Sequence, residues 1–222
     1  MGSAFRTEVV GTEAEPLVII DDFAEEPEAL FETACAQAYS PRGVHYPGVR
    51  AQADPAYLGA RMDLLKEVLT DVFDMPRGAA LVECAFSLVT TPRDALTPIQ
   101  RIPHFDSTDP GRLALLHYLC DERGGGTAFY RHRASGFETI SQDRHSAYGA
   151  ALQKEVDALP DSGYVDGDTD LFEETGRVAA RFNRMVIYRG YRLHSGVIPT
   201  GLPLSSEPRE GRLTVNTFLQ GR

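Results

Sequence analysis

Long hydrophobic runs are missing from this chain of 222 residues. No stretch approaches the roughly 18 apolar residues that a membrane-crossing helix needs. The first ten residues carry no basic-then-apolar leader, so a cytoplasmic protein is expected. Lysine is scarce, with Lys66 and Lys154 the only two. Arginine therefore supplies nearly all the positive charge, and any one arginine has to be judged by its position. Basic surplus is absent too: the net charge is −10. That argues against nucleic acid as the main partner, because phosphate binding rests on positive charge. The three cysteines, Cys35, Cys84 and Cys120, are too few and too widely spaced for a disulfide framework or a zinc site, and read as buried thiols.

What is present suits a soluble globular fold, with 42% hydrophobic and 24% charged residues. Leu17–Asp22 is rich in β-branched residues and reads as a strand. Acidic residues around Pro27 suit a helix start, and Leu58, Met62, Leu65, Leu69 and Val72 repeat at helical spacing up to Met75-Pro76. Residues 40–49 read as a loop. The period then shortens. Strands are expected at Leu81–Thr90, Ile99–Phe105, Arg112–Cys120, from Thr127, and at Arg181–Tyr188, Leu193–Ile198 and Arg212–Leu219. A third helix is expected over 143–159, then an acidic loop over 161–170. One domain over 1–222 is the expectation. Residues 1–78 supply a strand and supporting helices, and 79–222 a mainly β, sheet-on-sheet core carrying the helical insertion, with helices on one outer face.

Three pieces combine as a metal site. His104 and Asp106, two apart on a strand, point the same way, and His194 lies 88 residues beyond Asp106. Two imidazoles and a carboxylate are the ligand set of the facial triad of non-haem Fe(II) oxygenases, which leaves coordination positions open. Arg212 opens the last strand, where a dicarboxylate would be gripped.

The order of motifs resembles the Fe(II)/2-oxoglutarate-dependent dioxygenases, most closely their prolyl 4-hydroxylase-like branch. The matching pieces are His104-Phe105-Asp106, Leu115-Leu116-His117-Tyr118-Leu119, Gly125-Gly126-Thr127-Ala128-Phe129, His194-Ser195-Gly196-Val197 and the strand from Arg212. The resemblance spans Leu81–Leu219 and implies a double-stranded β-helix (jelly roll), cupin-like. It implies Fe(II) on His104, Asp106 and His194, and 2-oxoglutarate as co-substrate with its distal carboxylate on Arg212. Tyr118 and Thr214 would add hydroxyl contacts. It further implies dioxygen and a small-molecule or peptide substrate. Asp106, absent from the family's halogenating members, favours hydroxylation or desaturation. The spacing departs from the family: Arg212 follows His194 by 18 residues, which reads as an enlarged turn over Pro199–Gly211, with Arg209 as the substitute if it is not. Cys120 stands where the family has Asn.

His132, Arg189 and Tyr191 are candidate substrate contacts near the mouth, and His45-Tyr46-Pro47-Gly48 is a candidate lid. His117 alternates away from Tyr118 and is expected on the outside of the sheet; His145 is expected to be exposed. Two rival functions share the fold: a non-catalytic or sensing module, and a cupin-like metalloenzyme that uses no 2-oxo acid.

Overall fold

Period-two alternation divides the apolar residues of three adjacent strands between two cores. Val18, Ile20, Leu113, Leu115, Met185 and Ile187 face one way. Leu17, Ile19, Ala114, Leu116, Val186 and Tyr188 face the other. The computed structural model, which describes residues 5–43, 45–155, 159 and 163–222, shows what covers each face. Its strands are β1 (Arg6–Val10), β2 (Glu15–Ile20), β3 (Ser40–Pro41), β4 (Gly48–Gln52), β5 (Ala79–Val89), β6 (Arg112–Tyr118), β7 (Gly126–His132), β8 (Phe172–Ala179), β9 (Arg184–Arg189), β10 (His194–Val197) and β11 (Leu213–Gly221). Eight strands form a large antiparallel sheet in the order β1-β2-β9-β6-β11-β5-β4-β3. The other three form a small one, β10-β7-β8. The two sheets make the jelly roll.

Helices α1 (Pro27–Cys35) and α2 (Met62–Asp71) cover the outer face of the large sheet. Leu65, Val68 and Leu69 of α2 are buried against Val18, Leu113, Leu115 and Ile187. Each such side chain contributes roughly 1.5–3 kcal/mol. A 3-10 turn, Pro55–Arg61, leads into α2, and the Asp54 carboxylate accepts the Ala56 N–H at 2.9 Å as its cap. Helix α3 (Gln142–Lys154) packs through Tyr148 beside the small sheet. Residues 156–158 of the expected third helix and 160–162 of the expected acidic loop lie outside the described residues. Among the described residues no helix is long and apolar enough to cross a membrane.

Three expectations need correction. Ile99–Phe105 is not a strand: Pro98–Arg101 is a 3-10 turn, started by a capping box between Thr97 and Gln100. Prolines at 98 and 103 remove the amide donors a ladder would need. The expected loop at 40–49 contains β3 and the start of β4, and β8 was not expected at all. β8 reads Phe-Glu-Glu-Thr-Gly-Arg-Val-Ala, and as an edge strand it shows no apolar alternation.

The third correction is His117. It does point opposite to Tyr118, but that face is the helix-covered core, and its exposure is 0%. Its ring stacks on Tyr57 at 5.8 Å and meets Phe23 edge-on at 5.3 Å. Nε2 shares a hydrogen bond with Asn183 Oδ1 at 3.0 Å. Burial pushes its pKa down from 6.5 to about 4. A depressed histidine pKa favours the neutral folded form, so its stabilisation is complete above pH 6.5 and is lost as pH falls towards 4. Across that window His117→Gln is expected to reduce the acid-side loss of unfolding free energy by up to about 3 kcal/mol, seen as a flatter melting-temperature profile. Thermal melts of both proteins between those limits check it.

Candidate metal centre and its two cavities

His104 arrives from the segment after the 3-10 turn, not from a regular strand. Its N–H donates to the His194 carbonyl at 2.9 Å, and the His194 N–H donates back at 2.8 Å. This doubly bonded antiparallel pair sets the two imidazoles side by side. The Asp106 N–H then donates to the Gly190 carbonyl at 2.6 Å. Phe105 turns to the other side, edge-on to His145 and Tyr148. The alternation expected from the sequence therefore operates, although the ladder here is a single bridge.

One ligand atom each from His104, Asp106 and His194 lies within 4.8 Å of the others. His104 Nε2 is 3.9 Å from Asp106 Oδ1, and His194 Nε2 is 3.6 Å from Oδ2. Metal–ligand bonds of roughly 2.0–2.2 Å let one ion fit between donors so spaced. The His194 Nδ1–H donates to the Arg192 carbonyl at 2.8 Å, which turns the Nε2 lone pair towards the centre. Burial lowers both histidines to about 4. The effect is firmer for His194, whose side chain is 6% exposed, than for His104, which is 52% open to the adjoining cavity. Burial raises Asp106 to about 6, against an opposing pull from His104. Two neutral imidazoles and a buried carboxylate are a donor set that gains from a divalent ion.

Two cavities meet here, an outer one of about 530 Å³ and an inner one of about 80 Å³. Tyr46, Arg50, His104, Asp106, Gly196 and Phe218 border both. Arg212 borders only the inner one and is 4% exposed. Its Nε–H donates to the Gly124 carbonyl at 2.9 Å and its Nη2–H to the Gly126 carbonyl at 2.8 Å, with the Tyr118 ring 5.5 Å beneath. The glycine run explains the cradle. Gly125 has φ +78°, and a Cβ there would stand 2.1 Å from the Val197 carbonyl oxygen, so the turn that aims its neighbours' carbonyls needs glycine. Arg209, the substitute considered above, pairs with Glu32 at the surface.

The other expected residues fall in different places. Tyr118 and Thr214 are fully buried; the Tyr118 hydroxyl bonds Thr127 Oγ1 at 2.6 Å, and Thr214 Oγ1 donates to Asn216 Oδ1 at 2.8 Å. Their partners Thr127 and Asn216 border the inner cavity, as do Tyr46 and Tyr188. His132 borders neither cavity. It is 0% exposed, bonds Ser135 Oγ and Glu155 Oε2 at 2.9 and 2.7 Å, and so ties the end of α3 to β7. Arg189 donates to the carbonyls of Pro110 and Phe73, and the Tyr191 hydroxyl donates to Glu15. These contacts are away from both cavities. His45, Tyr46 and Pro47 of the candidate lid do border the outer cavity; residue 44 lies outside the described residues.

Sequence reasoning missed Arg50, Thr127 and Asn216 as cavity-lining residues. Asn216 was within reach, since it shares a strand face with Arg212 and Thr214. Arg50 was not, because it lies just past the expected loop at 40–49, in a stretch for which no strand is expected. Register brings it in: Arg50 pairs with Ser87, Ser87 with Thr214, and Thr214 with Tyr118, one row across four strands.

The fold is similar to that of HygX from Streptomyces hygroscopicus. The form with nickel and 2-oxoglutarate bound has a TM-score of 0.51 and 14% identity, covering 94% of this chain and 84% of that one. The iron-bound form has a TM-score of 0.50 and 12% identity, covering 94% and 83%. A Pseudomonas putida prolyl-4-hydroxylase aligns over 95% of each chain with 15% identity and a TM-score of 0.48. No curated protein sequence matches significantly. A family model described as a family of unknown function (DUF6445) matches residues 2–219, and the chain belongs to that family.

Proposed function

We propose that this protein is a single-domain Fe(II)- and 2-oxoglutarate-dependent oxygenase, of the prolyl 4-hydroxylase-like branch, that hydroxylates a small molecule or a peptide side chain. One observation carries the reading. The donor atoms of His104, Asp106 and His194 lie within 4.8 Å of one another, and the cavity behind them also meets the Arg212 guanidinium. HygX, of similar fold, has been crystallised with 2-oxoglutarate and nickel, and with iron; the same ligands suit these donors.

In this reading His104, Asp106 and His194 hold iron and leave half its coordination shell open. When bound, iron with 2-oxoglutarate and dioxygen supplies an oxidant able to take hydrogen from an unactivated carbon, as the 2-oxo acid becomes succinate and carbon dioxide. The chain's own residues position and shield. Arg212 has Nε and one Nη2 hydrogen committed to carbonyls, and its remaining N–H groups suit a distal carboxylate. Thr127 and Asn216 add polar contacts, held in place from behind by Tyr118 and Thr214. Leu116, Tyr188 and Phe218 wall the inner cavity and keep water out.

Anaerobically iron-loaded protein given 2-oxoglutarate and then oxygen is expected to form succinate, and calorimetry to detect 2-oxoglutarate binding. Absence of both, across a broad substrate panel, rejects the reading.

A further inference from the structure

Arg50 has no role in the scheme above, yet it stands where the two cavities join. Its guanidinium is held from two sides. The Tyr46 ring lies 4.3 Å from Cζ, and Glu83 Oε1 is 3.5 Å from Nη1. Its Nε is buried and has no hydrogen-bond partner among the described residues. A buried donor left unpaired is costly, by about 1–3 kcal/mol, so an acceptor belongs there when the site is filled.

The surroundings define that acceptor. Glu83 takes one end of the guanidinium and leaves the Nε edge, which presents parallel N–H groups in the geometry a carboxylate matches. Glu83 also disfavours a dianion, so a monoanion fits better than a phosphate. Beyond Arg50 the outer cavity is walled by Ile102, Phe105, Tyr148 and Phe218, and Val82 and Ile99, both about half exposed, form its apolar rim. Exposed apolar residues at the mouth of a cavity suit a ligand with an apolar body.

We propose that the outer cavity binds a monocarboxylic acid with an apolar body, and that Arg50, steadied by Tyr46, anchors its carboxylate beside the metal centre. This names the substrate class of the oxygenase site and rests on that reading. Arg50 also lies near enough to serve the co-substrate's carboxylate, and the test separates the two sources.

Nickel-loaded protein saturated with 2-oxoglutarate is titrated by calorimetry with hexanoate, octanoate and phenylacetate, each against its neutral amide. At least one acid is expected to bind about tenfold or more tighter than its own amide, the value of one charge-assisted bidentate contact. Arg50→Met is expected to erase that preference while leaving 2-oxoglutarate affinity within about twofold. Arg50→Lys, which keeps the charge, is expected to retain part of it, and matched melting temperatures confirm that both variants fold. The proposal is overturned if acids and amides bind alike, or if none of the probes binds. It is equally overturned if Arg50→Met weakens 2-oxoglutarate with the acid preference intact, which would assign Arg50 to the co-substrate. If wild-type protein takes no 2-oxoglutarate but keeps an Arg50-dependent preference for acids, the carboxylate site stands and the oxygenase reading fails.

Discussion

Asp106→Asn is expected to bind Fe(II) at least about a hundredfold more weakly than the wild type, because losing a ligand exceeds the 10–100-fold cost of losing a ligand's support. The same variant is expected to be more stable when no metal is present. Burial lifts the Asp106 carboxyl from 3.8 to about 6. A raised carboxyl pKa means that the folded state prefers the protonated form. Its stabilisation is therefore full below pH 3.8 and is lost as pH rises through 6. At neutral pH the ionised side chain strains the metal-free fold by up to about 3 kcal/mol, and an amide relieves that strain. Metal titration followed by fluorescence, and metal-free melts at neutral pH, read the two effects separately. A variant that binds iron normally, or that loses stability without metal, contradicts the assignment of Asp106.

Arg212→Met addresses the second anchor. It is expected to weaken 2-oxoglutarate binding about 10–100-fold, the value of a buried bidentate charge-assisted pair, and to leave metal affinity within about twofold. Some loss of stability accompanies it, because the Gly124 and Gly126 carbonyls lose their buried donors. Arg209→Met serves as the control. Its guanidinium pairs with Glu32 at the surface, and 2-oxoglutarate affinity should not move. Unchanged affinity in the Arg212 variant would instead favour the rival metalloenzyme that uses no 2-oxo acid. Calorimetry on nickel-loaded protein measures each case without turnover.

The two expected results differ in how far the sequence led to them. Asp106 was readable because it stands two residues from His104, and a local period survives even when the strand shrinks to one bridge. Arg212 was readable because alternation begins with it and continues to Leu219. Tyr118 and Thr214 were found on the correct face but one layer too deep. Their partners Thr127 and Asn216 border the inner cavity instead, and alternation gives a direction without a depth. His117 shows the same limit in reverse: its direction was readable, but whether that face met water or helices was not.

By itself, the sequence determined which residues alternate, where prolines and glycines break the chain, and which side chains have the chemistry to hold a divalent ion. Those properties are local, and a few neighbouring residues suffice to express them. Only the tertiary structure decided that β4 comes alongside β5 and carries Arg50 to the junction of the cavities. It also decided that three glycines at 124–126 cradle Arg212, and that His132 is a buried tie and not a group at the mouth. Those outcomes follow from strand register and from sheet-to-sheet contact between segments far apart in the chain, where pairing geometry and excluded volume rule and no short stretch holds the information.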